Sequence, residues 1–110
     1  MTESQLLHDV RLELGREPDL VLWRNSSGAV ETNGRWQTFG LCKGGSDIVG
    51  ILAPAGRWFC LELKSERGRL TEDQKLFAAL VRRLGGFCAT ARTVDEARAA
   101  LERARAGAKE

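Results

Sequence analysis

At 110 residues, 43% of them hydrophobic, the chain has room for one compact domain spanning residues 1–110 and none for a second. Its formal net charge of +2 is too small to identify a partner. The longest uncharged apolar stretch, residues 48–56, holds Pro54 and two glycines and is far shorter than the ~20 residues of a membrane-spanning helix; with no basic start and apolar run near Met1, the expectation is a cytoplasmic protein that engages no membrane.

Leu6, Leu7, Val10 and Leu14 recur at helical spacing behind Thr2 and Ser4, either of which can cap, so residues 3–15 read as an amphipathic helix ended by Gly15. Residues 20–23 are a short apolar run, expected as a strand that closes at Asn25, Ser26, Ser27 and Gly28. A polar, glycine-rich loop then leads to Gly45, with residues 36–41 as a candidate strand inside it. Residues 47–52 and 57–64 flank Ala53, Pro54, Ala55 and Gly56 and read as a β-hairpin, because Pro at the second turn position presets φ and Gly at the fourth suits a type I turn. Both strands are apolar on both faces, the pattern of central strands covered by helices on each side. Thr71, Glu72, Asp73 and Gln74 carry a capping-box pattern, opening a helix whose expected buried stripe is Leu76, Phe77, Leu80, Val81 and Leu84. After Gly85 and Gly86, residues 87–91 form a short strand. Val94 begins a last helix with Ala97, Ala100 and Leu101 inward, and residues 103–110 are expected to fray. The expected architecture is α/β in the order α-β-β-β-α-β-α, a mixed central sheet flanked by helices.

The hairpin carries the chemistry. With its turn centred between Pro54 and Ala55, Asp47 falls directly opposite Glu62, and opposed Cβ atoms on an antiparallel pair lie about 5 Å apart, close enough for two carboxylates to share a cation. Lys64, two residues beyond Glu62, returns to the same face. Charges inside an apolar sheet are expensive unless paired or metal-bound, and oxygen ligands of this kind suit Mg²⁺ or Mn²⁺. Such a cation polarises a phosphodiester, and Lys64 is placed to orient water or neutralise developing charge. Lys43, Gly44, Gly45 and Ser46 offer backbone that a phosphate can approach closely. Between residues 35 and 69 six bases (Arg35, Lys43, Arg57, Lys64, Arg67, Arg69) face three acids (Asp47, Glu62, Glu66), so with cations bound the segment is a positive surface. Cys42, Cys60 and Cys88 are odd in number and widely spaced, expected as reduced core thiols, and no C-x-x-C pair or Cys/His cluster calls for zinc.

Gly45, Ser46 and Asp47, then Glu62, Leu63 and Lys64, then Gln74 within residues 70–74, resemble the VRR-NUC nuclease family, over most of the chain from Trp23, Arg24 and Asn25 to Gly85 and Gly86. The resemblance implies the PD-(D/E)xK restriction-endonuclease-like fold, a divalent metal, and a DNA phosphodiester as substrate. It further implies that Asp47 and Glu62 are metal ligands, Lys64 the catalytic lysine and Gln74 an auxiliary site residue. The family also has a glutamate in its first helix, for which Glu3 is the candidate ligand, since it precedes Leu6 and Leu7 by one turn whereas Glu13 points away. Arg24, Asn25, Lys43, Ser46, Arg67 and Arg69 are the candidate DNA contacts. Stand-alone relatives imply a homodimer acting on branched DNA such as a Holliday junction, in repair or in phage and bacterial settings.

Each assignment has a plainer alternative. Glu62 with Lys64 or Arg57 can be a structural ion pair, Gln74 can serve the helix cap alone, and Glu3 can be a solvated helix-start carboxylate. Arg24 and Asn25 can be turn chemistry. Of the three tryptophans, Trp23 and Trp58 are expected in the core and Trp36 is the best placed to stack on a base. His8 is expected on the surface. The alternative function is a non-catalytic DNA-binding module of the same fold inside a larger complex.

Overall fold

Thr2 opens α1 (Glu3–Leu14) by accepting the Gln5 N–H at 3.1 Å, in a computed structural model that describes residues 1–110. Leu6, Val10 and Leu14 form the buried stripe that their spacing calls for. The chain continues as β1 (Leu20–Arg24), β2 (Gly28–Thr32), β3 (Arg35–Phe39), β4 (Ile48–Leu52), β5 (Arg57–Leu63), α2 (Glu72–Arg83), β6 (Phe87–Ala91) and α3 (Val94–Arg105). The fold is α/β with three helices and a mixed sheet in the order β1-β4-β5-β6, antiparallel except for the parallel β5–β6 pair. No helix is long and apolar enough to cross a membrane.

Between α1 and α2 the chain is richer in strands than its pattern suggests. Residues 28–39, read from sequence as loop with one candidate strand, form a separate two-stranded ribbon, β2 against β3. Its turn is Asn33 and Gly34, both at positive φ (52° and 77°), the backbone that a two-residue hairpin turn requires. Leaving out this ribbon, the order is α-β-β-β-α-β-α.

The main sheet separates two apolar layers. α1 and α3 cover one face, where Leu6, Val10 and Leu101 meet Ile48, Phe59, Leu61 and Phe87; α2 covers part of the other, where Ala78 and Val81 meet Val49, Cys60 and Cys88. Strands β4 and β5 are central, and their pairs run from Ile48 with Leu61 to Leu52 with Arg57, the register expected. The connecting loop is the expected four residues, Ala53 to Gly56, and its Ala53–Pro54 peptide is cis.

Three packing expectations need correction. On α2 the buried positions are Ala78 and Val81, with Phe77 half-buried, whereas Leu76 and Leu84 are 67% and 72% exposed and Leu80 is exposed as well. The apolar arc of this helix is wider than the sheet beneath it, so one flank stays in solvent. Trp23 is exposed on β1 at the same face as Val49, and Cys42 is exposed, so neither is a core residue; Trp58 is half-buried. The C-terminal residues do not fray: α3 runs through Arg105, Cys88 N–H donates to the Lys109 carbonyl at 2.9 Å, Arg57 donates to the Ala108 carbonyl at 2.5 Å, and Glu110 pairs with Arg82 at 3.0 Å. These contacts cover the outer edge of β6, which an exposed sheet would otherwise present to other chains.

Candidate metal centre

The β4–β5 register carries Asp47 and Glu62 to the same end of the hairpin, each one residue past the last pair, Ile48 with Leu61, and Glu62 is still paired with Thr90 of β6. They line a cleft of about 220 Å³ together with Arg24, Asn25, Gly44, Gly45 and Gln74. Asp47 is fixed by the Leu63 N–H, which donates to its Oδ2 at 2.8 Å. Glu62 is only 6% exposed. Its Oε1 accepts from Gln74 Nε2 at 3.0 Å and lies 3.9 Å from Lys64 Nζ. Its Oε2 is buried and has no partner at all.

Such an arrangement is costly as it stands. Burial, followed by the charge of neighbouring Asp47, pushes the Glu62 carboxyl up to about 8, with Lys64 pulling the other way. A buried carboxylate oxygen with no donor asks for a proton or a cation. The oxygens available are hard donors, and a pair of carboxylates at an open cleft matches the way Mg²⁺ is held, by one or two carboxylates with water and phosphate completing its shell. The donor set therefore fits Mg²⁺ or Mn²⁺.

Gln74 does two jobs. In the capping box its Oε1 accepts the Thr71 N–H at 2.9 Å while its own backbone N–H donates to Thr71 Oγ1 at 3.1 Å, leaving its Nε2 free to hold Glu62. One side chain thus makes both the cap and a contact with Glu62. Lys64 borders a neighbouring cleft with Leu6, Ser65 and Arg92, and its ammonium reaches back to Glu62.

Other candidates fall elsewhere. Glu3 is not brought to Asp47 and Glu62, and no group of three or more His, Cys, Asp or Glu residues forms a ligand cluster. Its Oε1 instead accepts the Ser65 N–H at 3.1 Å, because α1 starts beside the loop after β5 rather than beside the cleft. Ser46 is buried with its Oγ 3.5 Å from Cys88 Sγ, so its hydroxyl is turned into the core rather than out to solvent. Asn25 is spent internally: its Nδ2 donates to the Ser46 carbonyl at 2.9 Å and to Ser27 Oγ at 3.2 Å, and its Oδ1 accepts the Leu41 N–H at 3.1 Å. Arg24, Lys43, Arg67 and Arg69 are exposed, as phosphate contacts must be; Lys43 also pairs with Asp73 at 3.4 Å. His8 is exposed.

Arg92 has a positioning role that no sequence pattern announces. Its Nη1 donates to the carbonyls of Ser65 and Gly68, both at 2.6 Å, and to that of Glu66 at 3.4 Å, clasping the loop that follows Lys64 and displays Arg67 and Arg69. Gly44 is required where it stands, since a Cβ there would meet the Asp73 backbone at 2.4 Å. That close approach packs the start of α2 against the loop leading into Asp47. No protein-family model matches the chain, and no curated protein matches it either.

Proposed function

We propose that the protein is a divalent-metal-dependent nuclease of restriction-endonuclease-like, PD-(D/E)xK type, hydrolysing DNA phosphodiester bonds at Asp47, Glu62 and Lys64. The observation that carries this reading is the buried, partnerless Oε2 of Glu62 beside a second carboxylate. Asp47 and Glu62 would hold Mg²⁺ or Mn²⁺, which when bound supplies Lewis-acid charge to the phosphate and an activated water. Lys64 faces the same carboxylate and offers an N–H donor and a positive charge to water or to a phosphate oxygen as charge builds there. Gln74 acts as a positioning residue, fixing the rotamer of Glu62 from a helix start that is itself capped. Arg24, Arg67 and Arg69 would grip backbone phosphates on either side, where contacts orient the strand without reading its sequence.

Hydrolysis breaks one P–O bond and adds water across it, so the experiment is direct. Labelled DNA incubated with the protein is expected to be cut in Mg²⁺ or Mn²⁺ and left whole in EDTA. Lys64→Ala is expected to lower cleavage at least about a hundredfold, on the order of a removed transition-state donor, with binding kept. Full metal-dependent cutting by Glu62→Ala would overturn the proposal.

A further inference from the structure

The ribbon β2–β3 is the one part of the fold that no core explains. All ten of its strand residues are exposed, its strands pair only with each other, and it carries Trp36 at 71% exposure together with Val30 and Phe39. A two-stranded hairpin on its own is marginal in water. Here it is built to hold its shape. The Asn33–Gly34 turn has the hand that suits the strand twist. At the root the Phe39 ring lies over Gly28, where a Cβ would come within 2.6 Å of Cζ, and Gly40 sits against Ser26 and Ser27.

The root is also part of the site. Asn25 joins Ser27, ahead of β2, to Leu41, behind β3, and both to the Ser46 carbonyl beside Asp47. One side chain thus locks the arm to the loop that carries a metal ligand. Within the ribbon Arg35 is balanced by Glu31, which pairs across from Trp36, so the positive charge of the segment sits at its root, on Arg24 and Lys43, the latter beside Asp73. At about 3.4 Å per residue, Trp36 stands roughly 10 Å out from the root at Phe39, about three nucleotide steps. A braced arm that rises from a basic root and ends in a broad π-face is the chemistry that receives unpaired bases, which stack on aromatic side chains whatever their sequence.

We propose that this ribbon binds the unpaired bases of DNA at a flap or branch next to the cleft, with Trp36 as the stacking platform. The substrate class is then DNA with a single-stranded element beside the scissile phosphate, an inference that rests on the nuclease reading for the position of the cut but not for the binding itself.

The test uses the full chain in Ca²⁺, with a fluorescent duplex carrying a single-stranded flap and the same duplex fully paired. Wild type is expected to bind the flap the tighter, with quenching of tryptophan emission. Trp36→Leu keeps the arm apolar while removing the π-face, and Trp36→Phe keeps a smaller one. Affinity for the flap is expected to fall in the order Trp, Phe, Leu, by about tenfold overall, while binding of the paired duplex changes less than about twofold. Equal binding of both DNAs by wild type, or an undiminished flap affinity in Trp36→Leu, overturns the proposal. A Trp36→Leu variant that changes sedimentation rather than DNA affinity assigns the arm to a second copy and overturns it too. Trp36-dependent flap binding without cutting in Mg²⁺ keeps the ribbon assignment and ends the nuclease reading; cutting that ignores Trp36 does the reverse.

Discussion

Replacing Glu62 by Gln separates the metal-centre account from a structural ion pair, because the two readings give opposite signs for stability. In the metal-free protein Glu62 is pushed up to about 8 from an ordinary 4.5, first by burial and then by Asp47. Between those values the folded chain keeps a proton that the unfolded chain releases, so the contribution to stability is full below pH 4.5 and declines as pH rises toward 8. The slope is about 1.4 kcal/mol per pH unit, which from about pH 5 to pH 7 amounts to about 3 kcal/mol, or about 10 °C in Tm for a chain of this size. The amide introduced by Glu62→Gln would have the same shape, could still accept from Gln74 and carries no charge, so the variant's pH profile should lose that slope and the variant should be the more stable at about pH 8 in EDTA. Saturating Mg²⁺ should raise the wild type at about pH 8 by about 3 kcal/mol at roughly a hundred times Kd and leave Glu62→Gln nearly unmoved. Urea denaturation across this pH range, with EDTA and with Mg²⁺, reads all of this. Parallel pH profiles for the two proteins in EDTA, with wild type the more stable throughout, would return Glu62 to the role of partner for Lys64.

Gln74→Ala should cost about 1 kcal/mol through the lost capping box and also weaken Mg²⁺ binding roughly tenfold; Gln74→Glu, which can keep the cap but adds a negative charge beside Glu62, should restore the helix and push metal affinity the other way, as calorimetry can tell. Asn25→Ala should cost about 1–3 kcal/mol and loosen the ribbon, seen as faster amide exchange at Leu41 than in wild type; unchanged exchange would show that the clamp is idle. The homodimer that the VRR-NUC resemblance implies should sediment at twice the mass of the chain, and a monomeric wild type would remove that pairing.

Much of the site is legible in the sequence because it follows from counting. Strand period and turn length alone put Asp47 opposite Glu62, and the pairing of Ile48 with Leu61 keeps that register. The same holds for Gln74, whose place as the third helical residue makes both the cap and the contact with Glu62. The ribbon has its own local mark, since Asn33–Gly34 is a strong hairpin signal, but the residues around it have no buried apolar face and so hide the strands. Other features depend on tertiary contacts that no local pattern holds. α2 has two adjacent apolar flanks, and only the breadth of the sheet decides that Ala78 and Val81 go in while Leu76 and Leu84 stay out. Glu3 binds at Ser65, and Ser46 lies against Cys88, because of where α1 and β6 come to rest, across 62 and 42 residues of chain. Arg92 clasps its loop from a position that sequence marks only as the residue before a helix cap.

Mn²⁺ binding followed by electron paramagnetic resonance on wild type, Asp47→Asn and Glu62→Gln tests directly whether these two carboxylates hold a cation. Wild type should take up the ion with an affinity that rises with pH toward about 8 as the Glu62 proton leaves, and each variant should lose it. Retention of wild-type Mn²⁺ binding by both variants, or no binding by the wild type at any pH, would contradict a cation held between these two carboxylates.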